Sequence, residues 1–303
     1  MLDVLVACHP HSEELSLFPE VRGFYLAKHL SRIGLKARFT QFPAPGVRCR
    51  ALICSEYQQE MDWFEQYLAG PISEIHAERM FCLTAYPLGR QEHFSRSYCE
   101  WFGERGGVLC HLADGELGKD ERWIGLGVDA EVVRPGRPGR RDTVVFDFPF
   151  GAVKDPAATF DSAWVEVVRQ RSPAYRIVGT GRPDAPVRHL FDEWVPYGLS
   201  HATYVARLYV RALALVVGWH ESMGLGVAEA RVAGACVLSV EGQVRRSMLC
   251  EEAGISYDGS DPSSLADAVA EAANRDHGLI RRRACEQFDF ARVAERTRAA
   301  IGL

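Results

Sequence analysis

The sequence predicts an α/β protein made of two Rossmann-like domains that face each other across a central cleft. Short apolar runs alternate with helix-like stretches, which is the pattern of parallel α/β sheets. The alternation stops at Arg134–Arg141, RPGRPGRR, a stretch without periodicity that reads as a linker, and then begins again. A chain of 303 residues is long enough for two domains with separate cores.

The first half, residues 1–137, is predicted to form the first domain. Its apolar runs predict five strands: Leu2–Cys8, Lys36–Phe42, Ala51–Ser55, Met80–Tyr86 and Val108–Leu112. Three helices are predicted between them, and glycine ends the first two: Glu20–Ile33, Gln58–Ala69 and Arg90–Glu104.

The second half, residues 138–288, repeats the pattern. Four strands are predicted: Thr143–Phe148, Tyr175–Val178, Leu213–Gly218 and Cys236–Val240. Three helices accompany them: Ala157–Gln170, His201–Ala212 and Val227–Gly234. The remainder is mostly helical, and residues 289–303 are predicted to form a C-terminal helix that packs back toward the first domain.

Composition excludes several classes of protein. With 47% hydrophobic and 25% charged residues, the chain is neither disordered nor fibrous. No apolar run approaches the ~18 residues of a membrane span, and the start, MLDVLVACHPH, lacks the basic leader of a secretory signal. The nine cysteines include no C-x-x-C pair, and several lie in apolar runs, as reduced thiols do. These features predict a cytoplasmic protein.

The segment His220–Ala230, HESMGLGVAEA, places two carboxylates, Glu221 and Glu229, on either side of a Gly-Leu-Gly turn between a predicted strand and a predicted helix. Gly224 and Gly226 allow the backbone to approach a ligand closely. The start of a helix offers unpaired N–H groups and partial positive charge to a phosphate. Carboxylates beside such a turn can accept hydrogen bonds from sugar hydroxyls. The segment therefore predicts a nucleotide-sugar site.

This spacing resembles the E-x7-E motif of family 4 of the retaining GT-B glycosyltransferases. Three further segments are similar to that family and follow its order: Trp123–Pro135, Ile255–Val269 and Phe288–Ile301. The resemblance implies a GT-B fold and a retaining, metal-independent hexosyl- or pentosyltransferase. The donor it implies is a nucleotide sugar, UDP- or GDP-linked, and the acceptor is a hydroxyl.

The resemblance also implies roles for individual residues in the donor site. Glu229 would bind the ribose hydroxyls, Glu221 would face the transferred sugar, and the backbone of Gly224, Leu225 and Gly226 would lie near sugar and diphosphate. Fixed dipoles or cations at the leaving phosphate supply much of the catalysis in such a reaction.

The family places an arginine and a lysine five residues apart at the leaving phosphate, and this chain departs from that pattern. Lys154 fits the lysine, but Pro149 stands at the arginine position, so Arg182 becomes the candidate substitute. His9 and His11, after the first strand, could orient the acceptor hydroxyl. No protein nucleophile is assigned.

Neither a metal nor a cofactor is expected. The chain has no D-x-D pair of the kind that holds a metal in other glycosyltransferases, and no His/Cys set has zinc spacing. The Gly-Thr-Gly of residues 179–181 is not the full G-x-G-x-x-G that binds nicotinamide or flavin cofactors.

One segment bears on the acceptor. The chain has a net charge of −5, yet Val21–Arg50 contains no acidic residue and seven basic ones: Arg22, Lys28, Arg32, Lys36, Arg38, Arg48 and Arg50. In a GT-B fold this segment lies beside the acceptor cleft, so Arg22, Lys28, Arg32 and Arg38 are candidates for binding a polyanion.

The acceptor and the activity each keep alternatives. A polyanionic acceptor would be an anionic lipid surface or nucleic acid. The most specific form of the nucleic-acid hypothesis is a hydroxymethylated base in DNA. A small-molecule or lipid-precursor acceptor is an alternative, and the basic segment would then be a solvated surface. The departure at Pro149 also leaves open a non-catalytic module that only binds nucleotide sugars.

Overall fold

A computed structural model provides the structure of the protein. It describes residues 1–8, 17–41, 43–55, 70, 72–84, 96–111, 117–135, 141–147, 162–181, 186–218, 224–244 and 248–303. The predicted helix Gln58–Ala69 lies outside these residues, as do six of the residues singled out above: His9, His11, Pro149, Lys154, Arg182 and Glu221.

The chain divides into two compact units. Met1–Gly127 and Phe288–Leu303 form the first unit, and Val128–Gln287 form the second. The predicted first domain ended at residue 137, whereas residues 128–135 belong to the second unit in the structure. There the carbonyl of Val133 accepts a hydrogen bond from Arg281 at 3.2 Å. Composition identifies the glycine- and proline-rich stretch as a linker. The long-range contacts of a neighbouring segment decide which of the two cores that segment joins.

Twelve strands are described: β1 (Leu2–Cys8), β2 (Ala37–Thr40), β3 (Arg48–Ser55), β4 (His76–Thr84), β5 (Gly106–Cys110), β6 (Glu121–Trp123), β7 (Thr143–Asp147), β8 (Arg176–Gly181), β9 (Glu193–Pro196), β10 (Ala212–Val217), β11 (Cys236–Val240) and β12 (Gly254–Tyr257). Eight α-helices are described: α1 (Leu17–Arg32), α2 (Arg96–Arg105), α3 (Ser162–Arg171), α4 (His201–Leu208), α5 (Leu225–Ala233), α6 (Pro262–Ala272), α7 (His277–Phe288) and α8 (Phe290–Ala300). A 3-10 helix covers Pro186–Leu190.

The first unit contains a six-stranded parallel sheet in the order β2-β1-β3-β4-β5-β6. Its central strands are apolar because helices can cover both faces of a parallel sheet. The C-terminal helix α8 packs on α1, where the Phe290 ring lies 5.7 Å from His29 and 6.0 Å from Tyr25. The end of the chain thus completes the core of the first unit.

The second unit contains another six-stranded parallel sheet, in the order β12-β11-β10-β7-β8-β9. The strand order reverses between β10 and β7, and ligands of such sheets bind beyond the carboxyl ends of the strands at this switch point. The predicted α/β class with two Rossmann-like halves is therefore confirmed. Among the described residues, no helix has the length and apolar character that crossing a membrane requires.

Three strands were missed by the sequence interpretation, and each is an edge strand: β6, β9 and β12. Each is three or four residues long, and at most two of its residues are fully buried. An edge strand is covered on fewer sides than a central strand, so it needs no continuous apolar run. In the same region, the helix predicted over His201–Ala212 ends at Leu208, and Ala212 begins β10 instead.

Candidate functional site

The described part of the two-glutamate segment, from Gly224 onward, lies at the carboxyl edge of the second sheet. Strand β10 ends at Val217 and α5 begins at Leu225, so the predicted strand-loop-helix unit is confirmed on both sides of the turn. Gly224 is the N-cap of α5 in the left-handed conformation, with φ 70° and ψ 34°. A side chain is strained in that conformation, and a Cβ there would also lie 2.9 Å from Cε of Met248.

Gly226 permits a close approach in the first turn of α5. A Cβ at this position would lie 3.2 Å from the Tyr209 hydroxyl and 3.3 Å from Oδ2 of Asp147. The backbone at the start of the helix therefore lies against these two polar groups. The first N–H groups of a helix have no partner within the helix, and Gly224 has no side chain with which to cap them.

Glu229, one turn further along α5, is almost completely buried and pairs with a histidine. Glu229 is 4% exposed as a whole residue, and Oε1 of its carboxylate accepts a hydrogen bond from Nε2 of His201 at 2.6 Å. His201 is the first residue of α4, the helix that precedes β10. The pair therefore joins the starts of two helices near the same sheet edge.

The environment of His201 favours its protonated form. Burial alone would lower the pKa of His201, but the charge and hydrogen bond of Glu229, together with the charge of Asp129, raise it above its ordinary value. Asp129 is 1% exposed, and its Oδ1 accepts from the backbone N–H of Glu131 at 3.0 Å. The carboxylates of Glu229 and Asp129 thus favour the imidazolium form of His201.

A second set of polar side chains, Asp147, Thr180 and Tyr204, lies near the His201–Glu229 pair. Asp147 is the last residue of β7 and is 8% exposed. The hydroxyl of Thr180, near the end of β8, donates to the Val195 carbonyl at 2.8 Å and is hydrogen-bonded to the Tyr204 hydroxyl at 2.9 Å. Burial and then the charge of Asp147 raise the pKa of Tyr204 well above its ordinary value, so this phenol is neutral.

Basic residues hold the other end of α5. Arg141 donates to the Ala233 carbonyl at 2.7 Å, Arg281 donates to the Val232 carbonyl, and His277 Nδ1 is 2.9 Å from the Gly234 carbonyl. Positive groups at the C-terminus of a helix offset its negative dipole end. These contacts fix the helix that carries Gly224, Gly226 and Glu229.

The structure brings together one part of the predicted donor site. Gly224, Leu225, Gly226 and Glu229 share the first two turns of α5 and its N-cap, whereas Glu221, Lys154 and Arg182 lie outside the described residues, as do His9 and His11 on the acceptor side.

Sequence reasoning missed His201, Asp129 and Asp147. For Asp147 a signal was present, because an aspartate ends the apolar run Val144–Phe146 where the carboxyl edge of a sheet is expected. The other two are brought in by long-range contacts.

The predicted acceptor-binding residues belong to the first unit. Arg22, Lys28 and Arg32 lie on α1, and Arg38 lies on the edge strand β2. Arg32 and Arg38 are exposed, whereas Lys28 is half-buried with its ammonium 5.5 Å from the Tyr25 ring centre. Arg32 ends α1, the helix that runs back from the carboxyl end of β1, so it lies toward the amino edge of the sheet.

In the part of the chain that the structure describes, no set of three His, Cys, Asp or Glu residues could hold a metal ion. A depression on the outer side of β12 and α6 is lined by Asp258, Asp267, Glu271 and Glu241. Its acidity makes it unsuitable for a diphosphate.

The two sheets, their parallel order and the strand-loop-helix unit define the GT-B glycosyltransferase fold, and comparison with solved structures agrees. A glycosyltransferase from Rickettsia africae superposes with a TM-score of 0.63 at 9% identity, over 99% of this chain and 98% of that one. AviGT4, a glycosyltransferase involved in avilamycin A biosynthesis, gives 0.59 at 15% identity, over 100% and 99%.

A third similar structure contains a donor nucleotide. Alr3699/HepE from Anabaena, solved in complex with UDP and glucose, superposes with a TM-score of 0.57 at 9% identity over the whole of both chains. No protein-family model matches the sequence. No curated protein matches it either. At these identities the likeness establishes the fold.

Proposed function

We propose that this protein is a retaining glycosyltransferase, similar to family 4, that transfers a sugar from a UDP- or GDP-sugar to a hydroxyl without a metal ion. One observation carries the proposal: Glu229 is held by His201 one turn after the N-terminus of α5, at the switch point of a GT-B fold. A ribose at Glu229 would place the attached diphosphate near the start of α5, where N–H groups favour negative charge.

The donor side draws support from chemistry and from similar structures. A carboxylate that is already fixed loses little freedom when it accepts hydrogen bonds from ribose hydroxyls. Asp147 adds negative charge next to the same helix terminus. A diphosphate bound there would therefore need further positive charge from other residues to neutralise it. We assign this role to Lys154 and Arg182, and Glu221 to the transferred sugar. Alr3699/HepE has also been solved with UDP-glucose, which makes UDP the first nucleotide to test.

In the proposed reaction, the acceptor oxygen bonds to the anomeric carbon as the bond to the diphosphate breaks. The nucleoside diphosphate leaves with the bonding electrons, and the proton of the acceptor hydroxyl passes toward the departing phosphate. Attack on the face from which the phosphate leaves retains the anomeric configuration. His9 and His11 are assigned to orient the acceptor hydroxyl.

A small molecule or lipid precursor is the first candidate acceptor. The acceptor hydroxyl must reach the carboxyl edges of the sheets, and the basic residues extend away from that edge along α1. A polyanion, including hydroxymethylated DNA, is the second candidate, favoured by the exposed Arg32 and Arg38 on neighbouring elements. It would have to lie along α1 and β2 while placing one hydroxyl at the carboxyl edge.

The test is a donor and acceptor screen with purified protein. Radiolabelled UDP- and GDP-sugars are incubated alone, with small hydroxylated acceptors and with hydroxymethylated duplex DNA. Transfer, or slow donor hydrolysis, supports an enzyme, and NMR of the anomeric proton in the product tests retention. Donor binding without turnover in any arm would identify a non-catalytic module. Absence of nucleotide-sugar binding would overturn the proposal.

A further inference from the structure

His201 makes the contact that determines the position of Glu229. The two side chains are 10% and 5% exposed, and the 2.6 Å hydrogen bond between them joins residues 28 positions apart. A carboxylate buried to this extent has little water around it, so its orientation depends on its protein partners. Removing His201 would leave the Glu229 carboxylate free to rotate.

The charges around this pair are mostly negative. Asp129, from the segment before β7, faces His201, and Glu229 contacts it from α5. Asp147, from β7, acts electrostatically on Tyr204 and Tyr209, the buried phenols of α4 and of the turn after it. In this described group, Glu229 and Asp129 act on the imidazole of His201, and Glu229 and Asp147 act on the two neutral phenols. A nucleotide diphosphate would add further negative charge to it.

We propose that His201 is a positioning residue for the donor: it orients the Glu229 carboxylate toward the ribose, and its positive charge offsets the carboxylates beside the bound diphosphate. This inference rests on the proposed function, in which Glu229 binds the ribose. His201 acts through its hydrogen bond to Glu229 and through the electrostatic field of its own charge. It need not touch the reacting atoms.

A dependence of donor affinity on pH follows from this arrangement. Neutral His201 can still donate its Nε2–H to Glu229, so deprotonation keeps the hydrogen bond and removes the charge. The pKa of His201 is raised above its ordinary value, so the charge is present in acid and is lost as the pH rises through the raised pKa. Loss of this positive charge near a bound diphosphate would weaken binding roughly tenfold.

The experiment measures binding of UDP-glucose, or of GDP-glucose if the parent binds it more tightly, by calorimetry from about pH 5.5 to about pH 8.5. A nucleotide sugar is used because a free terminal phosphate titrates near ~6 and would obscure the histidine. Parent affinity should fall roughly tenfold across this range. His201→Gln keeps a hydrogen-bond donor without a titrating charge, so its profile should be flat, near the parent's affinity at high pH.

His201→Ala removes both the charge and the donor. Its affinity should be a further tenfold weaker, roughly, at every pH, as expected when one hydrogen bond to a charged group is lost. His189→Ala is the matched control, because His189 is an exposed histidine of the same unit, on the 3-10 helix Pro186–Leu190. It should keep the pH profile of the parent. Circular dichroism establishes that each variant is folded.

The outcomes separate this inference from the proposed function. If the parent binds neither nucleotide sugar, or if folded Glu229→Ala binds as tightly as the parent, the proposed donor site is wrong. If Glu229→Ala weakens binding but folded His201→Gln keeps the parent's pH slope, only the inference about His201 is overturned. Unchanged affinity in folded His201→Ala would overturn it as well.

Discussion

Replacing Glu229 tests the stability and the chemistry of the site together. Its side chain is 5% exposed and pairs with His201, whose side chain is 10% exposed, so Glu229→Ala leaves His201 without this partner. Breaking a buried ion pair from one side costs about 3–5 kcal/mol, and the lower end applies because His201 can lose its proton. A loss of about 3 kcal/mol should lower the melting temperature of a unit of this size by about 6–12 °C.

Glu229→Gln separates the two effects. The amide keeps the volume of the side chain and one acceptor oxygen, so the expected cost in stability is about 1 kcal/mol. The ribose hydroxyls lose a charged acceptor, which should raise KM for the donor roughly tenfold. Because a ribose contact is made alike in the bound substrate and in the transition state, kcat should change little.

The assay follows nucleotide release at increasing donor concentration, with thermal unfolding measured on the same samples. Glu241→Gln serves as the matched control, since Glu241 is an exposed carboxylate directly after β11 in the same unit. It should keep both the KM and the melting temperature of the parent. A folded Glu229→Gln with the parent's KM would refute the assignment of Glu229 to the ribose.

Four further outcomes are expected. Glu221→Gln should lower kcat more than it changes donor KM if this carboxylate faces the transferred sugar; equal kinetics in variant and parent would contradict that role. Lys154→Ala should lower kcat on the order of 10²-fold if it stabilises the leaving diphosphate, measured in single-turnover reactions. Activity should survive EDTA, and a complete loss that Mg²⁺ or Mn²⁺ restores would show that a metal is required. If DNA is the acceptor, replacing Lys28, Arg32 and Arg38 with Ala should flatten the salt dependence of binding by about one log–log unit per lost phosphate contact, and a flat response in the parent would exclude this acceptor.

The central strands could be predicted from sequence alone. Strands buried on both faces must be apolar at almost every position, so β1, β7, β10 and β11 stand out as runs of aliphatic residues. The start of α5 was equally readable, since Gly-Leu-Gly after such a run indicates a turn into a helix. These are local signals, and local residues dictate the corresponding elements.

The edge strands and the limits of the units were decided by tertiary structure. An edge strand such as β9 buries only one of its four residues and resembles a loop in sequence. Asp129 and Val133 precede the linker-like stretch, yet their contacts lie in the second unit, with Arg281 of α7 holding the Val133 carbonyl.

The two-glutamate spacing identified Glu229 as a candidate ligand, but nothing near it in sequence reveals its environment. His201 lies 28 residues away, and Asp129 and Asp147 precede it by still more. Asp147, His201 and Glu229 meet because each lies at or after the carboxyl end of a parallel strand of the second sheet, and Asp129 acts on His201 from the segment before β7. Sequence therefore determined which chemical groups the chain can offer at this edge. The fold determined that a histidine and three carboxylates share it, because burial and charge at a site are properties of the assembled neighbours.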